Sequence, residues 1–70
     1  MAERQVDWLD LLACEAIVDQ VNTGYGLGAD EVLVATAAAM LAAELPAGSD
    51  IEVPAQRAET AIRFLKVITA

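Results

Sequence analysis

This chain of 70 residues contains no histidine, one cysteine, one serine, two prolines and four basic residues. Each scarcity excludes a kind of chemistry. Without imidazole there is neither a Ser-His nor a Cys-His pair, so the common nucleophilic constellations are absent. Ser49 stands beside Asp50 with no base near it in sequence. Cys14 has no second thiol to form a disulfide within the chain. One thiol and no histidine also leave a structural zinc site without ligands. With disulfide and metal set aside, oligomerisation is the remaining supplement to the marginal core of so short a domain.

Basic residues are scarce, and acidic ones are not. The formal charge is −7. Residues 1–53 hold ten carboxylates against Arg4 alone, a balance of −9, and residues 54–70 carry +2. That distribution disfavours direct binding to nucleic acid or to anionic lipid. The hydrophobic fraction of 57% is above the usual apolar content of globular domains. Yet the longest apolar run lies between Glu31 and Glu44 and falls short of the roughly 20 residues of a spanning helix. Glu3, Asp7 and Asp10 occupy the place of a signal peptide's basic and apolar regions. The expectation is a cytoplasmic protein of one helical domain, residues 1–70, with no cofactor and no membrane contact.

Periodicity predicts three helices, at about 3–22, 30–45 and 54–69, with the nearly uncharged second helix in the middle. On the first, Val6, Leu9, Leu12, Ala13, Ala16 and Ile17 are expected to face the core. Glu3, Asp7, Asp10 and Cys14 then form the opposite stripe, where neighbouring carboxylates raise a thiol pKa. Trp8, Leu11 and Val18 make a second apolar line, which covers an edge of the core or contacts another chain. Gly24 is placed to end the helix with a left-handed residue, and Tyr25 is read as a loop anchor packing back on the bundle.

Asp30 is the expected cap of the second helix. Sorted by size, Leu33, Val34, Ala37, Met40, Leu41 and Leu45 form a large-residue face directed at the core. Ala35, Ala38, Ala39, Ala42 and Ala43 form a ridge on the other side, with Val32 and Thr36 at its margin. A charge-free alanine ridge admits a second helix closely, most economically from another copy of the chain. Trp8, Leu11, Val18, Ala35, Ala38, Ala39 and Ala42 are therefore the candidate interface. From Pro46 to Val53 the chain makes a connection in which Ile51 and Val53 pin an extended segment on the core. The third helix starts near Pro54 and directs Ala58, Ala61, Ile62, Leu65 and Ile68 inward, with Phe64 at the edge.

The segment Asn22–Gly28 has alternating glycines but no preceding strand and no following lysine, so it is not a phosphate loop. Asp7/Asp10 and Glu15/Asp19 are carboxylate pairs at helical spacing. A hard cation wants six or more converging oxygens, so Asp7, Asp10, Glu15 and Asp19 are read as a solvated acidic surface. Leu27-Gly28-Ala29-Asp30-Glu31 resembles the start of the prosthetic-group helix in acyl carrier proteins. The phosphopantetheine-accepting serine of that family is Glu31 here, and Val32 stands at its leucine, so the resemblance implies no carrier function that requires that serine. The functional expectation is a non-enzymatic adaptor, regulator or assembly subunit that pairs with itself. The alternative is an acidic inhibitor or nucleic-acid mimic occupying a basic site on a partner enzyme, as in phage inhibitors and antitoxins.

Overall fold

The computed structural model describes residues 8–45 and 50–69. They form three helices: α1 (Trp8–Tyr25), α2 (Glu31–Glu44) and α3 (Ala55–Thr69). Every helix packs against the other two, and no strand occurs among the described residues. The predicted start of the first helix at Glu3 lies outside the described residues, as does Asp7.

α1 runs three residues beyond the expected end at Asn22. Its last turn closes with paired bonds: the Gly26 N–H donates to Thr23 O at 3.3 Å, and the Leu27 N–H donates to Asn22 O at 3.0 Å. This is the double bond pattern of a Schellman end, in which the residue after the cap must be left-handed. Gly26, at φ 61°, fills that role, not Gly24, which stays inside the helix. Leu27 follows and packs against the core, the apolar contact that usually accompanies such an end. Tyr25, expected to pack back on the bundle, is instead more than half exposed.

The cap of α2 is as expected. The Asp30 carboxylate accepts from the Leu33 N–H at 2.9 Å, and Glu31 follows at the positive helix end. At α3 the Pro54 carbonyl accepts from the N–H groups of Arg57 and Ala58, so proline occupies the cap position directly before the helix. Ile51 is partly buried, Glu52 exposed and Val53 buried, the predicted alternation. Arg57 pairs with Glu44 at one end of the α2/α3 contact. At the other end the Lys66 ammonium donates to Leu27 O, just before α2. The two contacts together make α2 and α3 antiparallel.

The core corrects the expected orientation of α1. Cys14, Val18 and Val21 are buried, with Leu11 and Ile17 packed beside them. Leu9, Leu12 and Ala16, expected inside, are exposed. α2 is also rotated from the size-sorted expectation. Val34, Ala37 and Leu41 are buried, but so are Ala38 and Ala42, whereas Met40 is exposed. Small side chains at a contact let helices approach closely, and Ala37, Ala38, Ala42 and Ala58 are all fully buried. α3 buries Ala58, Ile62 and Leu65 as predicted, while Ile68 faces solvent. Ile62 is fully enclosed, a burial that contributes about 1.5–3 kcal/mol.

Candidate interaction surfaces

Inward rotation of small residues turns large ones outward. On α1, Trp8 is 67% exposed, and Leu9 and Leu12 are exposed with it. On α2 the outward face is Val32, Ala35, Thr36 and Ala43, flanked by Met40, with Ala39 half-buried among them. No charged side chain interrupts it. The Thr36 hydroxyl donates to Val32 O at 2.7 Å, so its donor is satisfied inside the helix. On α3, Phe64, Val67 and Ile68 are exposed.

Among the described residues, a groove between α1 and α2 and another between α2 and α3 differ in charge. The α1/α2 groove has a volume of about 680 Å³ and is lined by Leu12, Ala16, Ala29, Val34 and Ala35, together with Glu15, Asp19 and Glu31. Its walls carry three carboxylates and no cation. The α2/α3 groove, of about 470 Å³, is lined by Met40, Leu41, Ala61 and Phe64, with Gln56 and Thr60. Its only charged groups, Glu44 and Arg57, neutralise each other.

The candidate interface residues are scattered by this arrangement. Val18 is fully buried and Leu11 packs on the core, so only Trp8 of the predicted line presents a surface. Ala38 and Ala42 lie between helices of one chain and cannot meet another. Of the ridge, Ala35 and Ala43 are exposed and Ala39 is half-buried. Of the candidate acidic surface, Glu15 and Asp19 are exposed and share the α1/α2 groove. Asp10 is 9% exposed and belongs to the core side. Met40 and Ile68, expected inside, are surface residues, as is Val67, while Val32 and Phe64, expected at the margins of their faces, are more than half exposed. The signal for α3 was present: Val67 falls well outside the angular stripe of Ala58, Ile62 and Leu65.

Cys14 is likewise a core residue. Burial pushes its thiol above the ordinary value of 9.0, and the negative charge of Asp10 pushes in the same direction. A thiol so placed is a packing group and a poor nucleophile. Among the described residues, no three acids or thiols stand together in a manner able to hold a metal ion, and no helix is long and apolar enough to cross a membrane. Comparison with protein-family models, with curated proteins and with solved structures gave no match.

Proposed function

We propose that this chain acts without catalysis, by surface contact with protein chains, as an adaptor, regulator or assembly subunit that also pairs with itself. The observation that carries this reading is the breadth of exposed apolar surface. Trp8 and Leu9 on α1, Val32 on α2 and Phe64 and Val67 on α3 are each more than half exposed. Small soluble monomers rarely leave large contiguous apolar surface in water unless a partner covers it. The sequence holds no imidazole, and its one thiol, Cys14, is buried.

A second reading draws on the α1/α2 groove. Glu15, Asp19 and Glu31 line it together, and an acidic inhibitor would place these groups against a basic site on its partner enzyme. Affinity capture from the source cell, with quantitative mass spectrometry, separates the two readings. Contact through apolar groups predicts a partner lost with Trp8→Ala or Val32→Glu and kept with Glu15→Lys, Asp19→Lys and Glu31→Lys combined. The acidic inhibitor predicts the reverse. Capture indistinguishable from an inert bait counts against both.

A further inference from the structure

The two grooves differ in what a second copy would meet. A copy carries a charge of −7, so approach to the three carboxylates of the α1/α2 groove is repulsive. The α2/α3 groove is neutral, because Glu44 and Arg57 cancel. It is also apolar at its edges, and the Thr60 hydroxyl is bonded to its own helix at Gln56 O, 2.8 Å away. Beyond Phe64, Val67 and Ile68 extend the same side of α3 by one turn.

A two-fold interface must contain its own complement, since one patch meets itself. The α2/α3 face meets that condition. It offers a cavity of about 470 Å³ and, at the lip of that cavity, the half-exposed ring of Phe64. We infer that a second copy of this chain docks on the α2/α3 groove, each Phe64 entering the groove of the other copy against Met40 and Ala61. The inference rests on the reading that the chain works by contact, and it names the partner and the face. Two antiparallel helices from each copy then form a four-helix arrangement with Phe64, Met40 and Val67 at its centre. A stable interface takes about 800 Å² from each partner, roughly a sixth of the chain's 4828 Å² surface. One of the three lateral faces of a three-helix bundle is large enough to supply it. The acidic α1 side remains outward and free for another partner.

Sedimentation equilibrium on the full chain, at roughly 10 μM, a concentration that populates a contact of standard size, tests the inference. The wild type is expected at twice its 7.4 kDa mass. Phe64→Glu buries an unpaired charge in the contact and weakens pairing about 100-fold. Val67→Glu, at a position 75% exposed in the single chain, does the same without risk to folding. Trp8→Ala leaves the pair intact. Far-UV circular dichroism establishes that each variant keeps its helices. Raising salt from roughly 20 to 200 mM screens the repulsion between acidic bodies and tightens the pair. A wild type found only at 7.4 kDa overturns both the inference and self-pairing, and leaves partner capture to decide the contact reading. A pair that survives both glutamates, or dissolves with Trp8→Ala, overturns this face while self-pairing stands. A pair weakened by salt also overturns it, since the contact would then join opposite charges.

Discussion

Asn22 and Ala29 hold each other across the α1–α2 turn by two hydrogen bonds. The Asn22 side-chain amide donates to Ala29 O at 2.9 Å, and the Ala29 N–H donates to Asn22 Oδ1 at 2.9 Å. The Asn22 backbone carbonyl meanwhile accepts from Leu27 in the helix end. One residue thus both finishes α1 and sets the entry to α2. Asn22→Ala removes both side-chain bonds at a partly buried site and is expected to cost about 1–3 kcal/mol. Asn22→Asp keeps the acceptor, loses the donor and directs negative charge toward Ala29 O, so it recovers little. Urea unfolding followed by circular dichroism checks both, with an unchanged midpoint for Asn22→Ala as the result that refutes the clamp.

The left-handed backbone at Gly26 should be costly to any L-residue. A Cβ there meets no atom within 4 Å, so Gly26→Ala isolates the backbone term, about 1–2 kcal/mol. A D-alanine at the same position, introduced by chemical synthesis, should stabilise the chain instead, because it prefers this conformation. Thermal melts of the two synthetic chains must move in opposite directions.

The alanines of α2 divide into two classes that substitution distinguishes. Ala38 is fully enclosed, and Ala38→Leu forces the helices apart at a cost of about 1–3 kcal/mol. Ala35 is exposed, and Ala35→Leu should stay within about 0.5 kcal/mol of the wild type. Equal denaturation midpoints for the two variants would contradict the rotation of α2 described above.

Cys14 gives a pH dependence whose sign is fixed by its surroundings. Burial first, and Asp10 second, raise the folded thiol above its ordinary 9.0. As pH rises, the unfolded chain therefore loses its proton before the folded one does. The stability from this group is complete below the unfolded value and is lost as pH climbs through the folded one. Urea midpoints at roughly pH 7 and pH 10 should differ more for the wild type than for Cys14→Ala, which lacks the group. Ellman's reagent should react slowly with the native thiol and rapidly once urea unfolds the chain.

Much of this fold was legible in the sequence where local chemistry decided it. Asp30 capped α2, Pro54 preceded α3, and Ala58, Ile62 and Leu65 pointed inward. The orientation of α1 was not legible, because apolar residues surround that helix on all sides. Angular spacing alone placed Leu9, Leu12 and Ala16 inside, whereas Cys14, Val18 and Val21 are the residues buried. Sorting by size misplaced Ala38 and Ala42. Close helix crossings select small side chains, a tertiary demand that one helix's pattern does not record. The candidate surface inherited these errors, so Trp8 remained on it while Val18, Ala38, Ala42 and Asp10 moved inside.

Alongside Leu41, Ile62 and Leu65, the core is filled by small side chains, Cys14, Val18, Val21, Val34, Ala37, Ala38, Ala42, Val53 and Ala58, and this has a thermodynamic consequence. Alanine surrenders no rotamers on burial, so ordering these positions costs the chain little side-chain entropy. Such side chains also remove modest apolar area from water, and the heat capacity change of unfolding scales with that area. The stability curve of this protein should therefore be shallow and broad. Calorimetry would show a wide thermal transition, and cooling would weaken the fold only slightly.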